Sequence, residues 1–175
     1  MTGPVWRPGC PVELDDLQVL EFAHWTFEDA VVDDGRLVLH ADHAPAVRSA
    51  MGALFDARFP LHQVVPIEQF GGDDDASMAA NNSSAFNCRY VGGTSTWSEH
   101  AHGRAIDLNP VQNPFVRGAL VAPPAAESYL NRADVRPGMI VRPGPVTDAF
   151  AAIGWGWGAD FSTSDDYQHF SATGR

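Results

Sequence analysis

Ser98 to Pro110 reads SEHAHGRAIDLNP. The stretch sets His100 and His102 two residues apart, places Gly103 directly after them, and carries Asp107 inside the apolar run Ala105 to Leu108. That run has the length and composition of a short buried strand, and Gly103 lets the chain bend just ahead of it. A carboxylate within a buried strand is costly unless it is paired or bound to a metal, so Asp107 needs a partner. Two pairings are open. His100 and His102 would face the same side of a strand and could chelate together. Against this, Gly103 argues for a turn at that point, which would instead carry Asp107 back towards His100.

Upstream of this stretch, Leu17 to Trp25 and Arg36 to His40 read as strands, with the turn-like Asp33-Asp34-Gly35 between them. Ala44 to Phe59 reads as a helix. Pro45 suits its first turn, and Val47, Ala50, Met51, Leu54 and Phe55 recur on one face. Val64 to Phe70 is expected as a strand confined to an edge by Pro66, and Gly71 to Thr96 as a long polar loop of the kind that carries function. The Asp73-Asp74-Asp75 run within it reads as a solvated loop tip. Downstream, a short helix is expected near Glu127 to Leu130 and a longer one over Val146 to Ile153. The tight GWGWG of Gly154 to Gly158 follows, and Tyr167 to Ser171 forms a last strand. Strands and helices do not alternate regularly, so the expected class is α+β, a central antiparallel sheet with flanking helices.

The chain has 175 residues and 45% hydrophobic content, which suits one domain over residues 1–175 with a single core. The formal net charge of −11 excludes a nucleic-acid surface, which needs clustered Lys or Arg. All eleven basic residues are arginine, so a lysine Schiff base and a Walker-type lysine are excluded too. No apolar run would span a bilayer, and the N-terminal MTGPVWRPGC lacks the regions of a signal peptide. Cys10 and Cys88 are too far apart for a zinc ribbon or a thioredoxin-type motif. They are either a disulfide, which would indicate an oxidising compartment, or two buried thiols.

A metal site needs a third ligand. Near the end of the chain SDDYQHF places His169 among apolar and aromatic neighbours, with Asp166 three residues before it. A carboxylate so close suits a general base in metal-assisted hydrolysis; the spacing by itself fits a buried structural histidine better, and it is the combination with His100 and Asp107 that favours a metal site.

Taken together, Ser98-x-His100-x-x-Gly103-x-Ala105-x-Asp107 with the distal Asp166-x-x-His169 resembles the signature of the zinc D-Ala-D-Ala carboxypeptidase (VanY-like) family. That family also contains L-alanyl-D-glutamate endopeptidases and is related in structure to the hedgehog signalling domain. SMAANNSSAFNCR at Ser77 to Arg89, AIDLNPVQNP at Ala105 to Pro114, and GWGWG ahead of DYQHF extend the resemblance over roughly residues 44–170. It implies a hedgehog/D,D-peptidase-like fold and one zinc ion held by His100, Asp107 and His169. Asp166 would be the general base, in a place where many relatives have glutamate, and Asp165 is its competitor. Arg89 would bind the substrate carboxylate or the developing oxyanion, and Ser98 the substrate backbone. His102 falls at a variable position and would line the cleft. By the residues themselves, Trp155 and Trp157 read as packing residues that wall it, not as stacking platforms. The implied substrate is a peptidoglycan stem peptide cut at its terminal D-Ala-D-Ala bond by a monomer outside the cytoplasm. The alternatives are the L-Ala-D-Glu bond, or a non-catalytic hedgehog-like zinc module.

Overall fold

In the computed structural model, which describes residues 5–175, β1 (Leu17–Trp25) and β2 (Val31–His40) form a long antiparallel hairpin. The reversal is not at Asp33-Asp34-Gly35, as the sequence suggested, but at Thr26 to Ala30. There the Thr26 N–H donates to the Ala30 carbonyl at 2.8 Å and Asp29 takes a left-handed φ of 58°. Gly35 is instead a strand residue opposite Phe22, where a Cβ would lie 2.8 Å from the Phe22 carbonyl oxygen. The glycine serves close backbone approach beside a bulge rather than a turn.

Helix α1 (Ala44–Asp56) starts with Pro45 in its first turn and buries Val47, Ala50, Met51 and Leu54 against β1 and α3 (Pro145–Ala152). It stops three residues short of the expected end. The segment expected as an edge strand is split. Only β3 (Gln63–Val64) is strand, and Ile67–Phe70 winds into a 3-10 turn after Pro66. The expected long loop also holds structure: α2 (Asp74–Ala79), capped by the Asp73 carboxylate accepting from the Ala76 N–H at 3.0 Å, and β4 (Asn82–Ser83), parallel to β3.

At the centre, β10 (His169–Ser171) runs between β5 (Ala105–Asp107) and β8 (Gly156–Trp157), all antiparallel. Ser84 bridges to Asp107, so β4 continues this layer on the far side of β5. A second antiparallel sheet has the order β7 (Leu120–Ala122), β6 (Phe115–Arg117), β9 (Asp165–Asp166). The class is α+β, with several small antiparallel sheets and one parallel pair, β3–β4.

The main apolar cluster joins Leu20, Leu37 and Leu39 of the hairpin to Leu54 of α1, Ile106 of β5, Phe150 of α3 and Phe170 of β10. Phe150 and Phe170 stack with centroids 4.2 Å apart. Trp155 and Trp157 are buried in this cluster, so they pack the core and do not wall the cleft. A smaller cluster gathers Val5, Val12, Val38, Ile67 and Phe86 around Cys88. Cys10 and Cys88 form a disulfide, which fastens the N-terminal segment to this cluster. No helix among the described residues is long and apolar enough to cross a membrane.

Candidate metal centre and active-site cleft

Gly103 and Ser98 bracket the turn that presents His100. Ser98 caps the 3-10 turn Glu99–His102, its Oγ accepting from the His100 N–H at 3.3 Å. Gly103 ends the turn with a φ of 66°, which favours glycine. Its carbonyl accepts from the His40 N–H at 2.8 Å, and a Cβ on Gly103 would lie 2.5 Å from that same nitrogen. The turn is therefore pressed against the end of β2. The chain then re-enters as β5, and its pairing with β10 sets His169 directly opposite Asp107.

Three side chains converge here, and all are buried: His100, Asp107 and His169. His100 Nε2 lies 3.1 Å from Asp107 Oδ2 and 3.2 Å from His169 Nδ1, and His169 Nδ1 lies 3.1 Å from Asp107 Oδ1. Tetrahedral zinc with bonds of about 2.0 Å to nitrogen and oxygen needs ligand atoms about 3.3 Å apart; the two imidazole nitrogens meet this at 3.2 Å, and one ligand atom from each of the three residues lies within 4.8 Å of the other two. The proton count points the same way. His100 donates its Nδ1–H to the Ala85 carbonyl at 2.6 Å, and His169 directs Nε2 at the Arg175 carbonyl at 3.2 Å. Two imidazole lone pairs and a carboxylate are left facing one another, an arrangement that requires a cation or an extra proton.

Without a metal, that proton goes to His169. Burial opposes it, but the Asp107 hydrogen bond and negative charge prevail and raise the imidazole to about 9. Burial likewise disfavours the Asp107 carboxylate. It is outweighed by the charge of His100 and by the hydrogen bonds of both histidines, which hold Asp107 well below the usual carboxylate range.

Asp166 lies on the same wall. Its Oδ1 is shielded from solvent and has no hydrogen-bond partner. Burial pushes its carboxyl up to about 7, with His169 opposing and Asp107 adding to the rise. Asp165, one residue before it on β9, is exposed. Behind Asp166, Gly158 packs so closely that a Cβ would lie 2.5 Å from the Asp166 carbonyl oxygen and 3.1 Å from the His169 Cβ.

These residues share a cleft of about 940 Å³ with Arg89, Ser98 and His102. Trp97 and Phe161 line it as well, in place of the expected Trp155 and Trp157. Arg89 is half-buried and pairs with Asp74 of α2 at 2.8 Å, while its Nε is buried without a partner. The aspartate run is thus no solvated tip: Asp73 caps α2 and Asp74 fixes an arginine. His102 lines the cleft but stands outside the group of converging ligand atoms, so the structure brings His100 to Asp107 and not to His102.

Residues 92–172 match the family model described as D-alanyl-D-alanine carboxypeptidase. The matched span holds Ser98, His100, Asp107, Asp166 and His169, and begins after Arg89. No curated protein and no solved structure gives a significant match.

Proposed function

We propose, from the premise that this chain is a metallopeptidase of the D-alanyl-D-alanine carboxypeptidase kind, that it hydrolyses peptidoglycan stem peptides at the terminal D-Ala-D-Ala bond. One zinc ion would be held by His100, Asp107 and His169. The observation that carries the reading is the buried, unpartnered Asp166 Oδ1 in the same cleft as those three converging ligand atoms. A structural ion pair would have satisfied that oxygen, whereas a carboxylate that takes up and returns a proton is left without a fixed counter-charge.

Zinc with three protein ligands keeps a fourth position open and supplies a Lewis acid that acidifies water and polarises a carbonyl. The protein's residues do the rest. Asp166 takes a proton from the attacking water and hands it to the leaving amine, and a proton affinity raised by burial suits both transfers. Arg89 is held by Asp74 and has a free Nε–H, so it can offer a planar pair of donors to the substrate carboxylate or to the carbonyl oxygen as charge develops there. Ser98 already accepts from His100, which leaves its hydroxyl proton for the substrate backbone. The Cys10–Cys88 disulfide supports a place outside the cytoplasm, where such a bond persists and peptidoglycan is found. The chain acts as one peptidase domain and as a monomer.

Mass spectrometry of a muramyl-type pentapeptide ending in D-Ala-D-Ala, incubated with the zinc-loaded protein, tests the reading. Loss of one alanine is the expected result. Release of a tetrapeptide beginning at D-Glu would move the cut to the L-Ala-D-Glu bond. An intact peptide with stoichiometric zinc would favour a non-catalytic zinc module. Asp166→Asn should lower kcat about a thousandfold and keep the zinc; a variant within fivefold of wild type would remove Asp166 from the base role.

A further inference from the structure

The second sheet shows one face to the cleft. Cross-strand partners in a ladder lie on the same side, as do residues two apart along a strand. Phe115 pairs with Ala122 on one edge and with Asp166 on the other, and Arg117 pairs with Leu120. Phe115, Arg117, Leu120, Ala122 and Asp166 all line the cleft, whereas Val116 and Val121, on the other face, do not. Asp166 and Arg117 therefore belong to one surface. Arg117 stands two pairs nearer the tip of the β6–β7 hairpin, where Gly118 takes a φ of 59° in a two-residue turn. Its guanidinium carbon lies 5.7 Å from the Phe115 ring centroid.

Charge pairing sets Arg117 apart from Arg89 and Arg104 in the cleft. Arg89 is engaged by Asp74 at 2.8 Å and Arg104 by Glu99 at 2.8 Å. The remaining lining arginine, Arg175, has its backbone tied to Ser171 and His169 and its side chain also pairs with no carboxylate among the described residues, but it lies outside the β7–β6–β9 sheet that carries Asp166. Arg117 pairs with no carboxylate among the described residues, although acidic residues outnumber basic ones by two to one in the whole chain (22 to 11). An arginine left free in an acidic protein, on the same surface as the residue proposed as the base, presents a positive charge to whatever occupies the cleft.

The geometry points to Arg117 as a specificity-determining residue that binds a second carboxylate of the peptide, distinct from the C-terminal group assigned to Arg89. The position along the substrate follows from the strand. Arg117 is two residues beyond the partner of Asp166, about 7 Å at ordinary strand rise. An extended peptide advances at the same rate, so the carboxylate belongs to a residue about two positions from the cut bond. A stem peptide has two such sources, the side-chain carboxylate of a diaminopimelate residue and the α-carboxylate of a γ-linked D-glutamate. This inference rests on the peptidase reading above and adds to it a preference among peptides.

Four pentapeptides ending in D-Ala-D-Ala separate the sources: diaminopimelate or lysine at the third position, combined with D-glutamate or D-isoglutamine at the second. The readout is kcat/KM for alanine release by the zinc-loaded full chain. Wild type should prefer one of the two carboxylates about tenfold, the effect of a partly exposed charge-assisted contact. In Arg117→Gln that preference should fall to about one, and in Arg117→Glu it should reverse. The peptide position at which it changes identifies the carboxylate. Arg117 is exposed and makes no internal hydrogen bond to a carboxylate, so both variants should melt within about 2 °C of wild type. Turnover of all four peptides with the same ratios in wild type and both variants would overturn the Arg117 assignment alone. Failure of the wild type to release alanine from any peptide would overturn the peptidase reading and this inference with it.

Discussion

Gly158→Ala adds a single methyl group behind the proposed metal centre, and its consequence can be worked from contacts. The new Cβ would sit 2.5 Å from the Asp166 carbonyl oxygen, 2.8 Å from the Asp166 Cβ and 3.1 Å from the His169 Cβ. Ordinary contact begins at 3.4 Å, so one side must retreat by about 0.9 Å, and close-packed surroundings give little room for this. Gly158 does not occupy the left-handed region, so its backbone accepts alanine and the penalty comes from the contact alone. Overpacking of this size costs about 1–3 kcal/mol, a fall in Tm of roughly 2–12 °C for a chain of this length. Asp166 is displaced most. A misplacement approaching 1 Å at a reacting group costs about a hundredfold in rate, so kcat should fall about that much while zinc stays stoichiometric. Gly52→Ala is the matched control: its Cβ meets nothing within 4 Å on an exposed position of α1. It should stabilise by about 1 kcal/mol and leave kcat unchanged. The assay is alanine release with metal content and thermal unfolding measured on the same samples. A Gly158→Ala variant with wild-type kcat and Tm would refute the claim that Gly158 sets the position of Asp166.

Metal uptake should release a proton. His169 in the metal-free protein is raised to about 9, so below that pH its proton must leave before zinc binds. Apparent zinc affinity should therefore rise with pH, by about tenfold per unit up to about pH 9, and calorimetry at pH 7.5 in buffers of different ionisation enthalpy should show about one proton released; none would contradict the converging lone pairs. The same group makes the metal-free fold pH-dependent: its contribution is complete below about 6.5, the unfolded value, and is lost as pH rises through about 9. The disulfide closes a loop with a sequence separation of 78, for which chain entropy gives about 4.5 kcal/mol as an upper estimate. Cys10→Ser with Cys88→Ser should lower stability by about 2–4 kcal/mol in denaturant unfolding while zinc binding persists; loss of zinc would show that the N-terminal segment supports the metal centre.

Two of the three proposed metal ligands stood out in the sequence because each carries a local contradiction. Asp107 is a carboxylate in an apolar strand, and His169 is an imidazole in an aromatic one; both are expensive to bury unless something binds them. Gly103 was legible as a bend, and its left-handed φ beside His40 shows why the bend is where it is. Asp33-Asp34-Gly35 misled because a glycine required for close approach to Phe22 has the same sequence signature as a turn glycine. The loop over Gly71 to Thr96 misled differently. Its helix is one and a half turns long and too short to show a period, although Asp73 was its cap in plain view. Arg89 was legible as a candidate, but its partner Asp74 was not, because nothing in the spacing ties α2 to the segment after β4. Trp155 and Trp157 went to the core for a reason of register: β8 pairs with β10, which sets Trp157 against Phe170, away from the cleft.

What the sequence could not show is the meeting of two sheets. Asp107 and His169 face each other across β5 and β10, a pairing that a buried strand pair at each motif makes natural. Asp166 belongs to a different sheet, where its partner is Phe115. The three residues Asp166-Tyr167-Gln168 thus bridge from the strand that would carry the base to the strand that carries a ligand. Their separation in sequence is fixed, so the distance between Asp166 and the converging side chains depends on how the two sheets pack, and at that junction stands Gly158, between β8 and both Asp166 and His169. A side chain at that point would push the sheets apart. The glycine that ends GWGWG is therefore needed for the approach of the proposed base to the proposed metal ligands, a requirement of tertiary packing that the local sequence, where the same glycine reads as a tight turn, does not reveal.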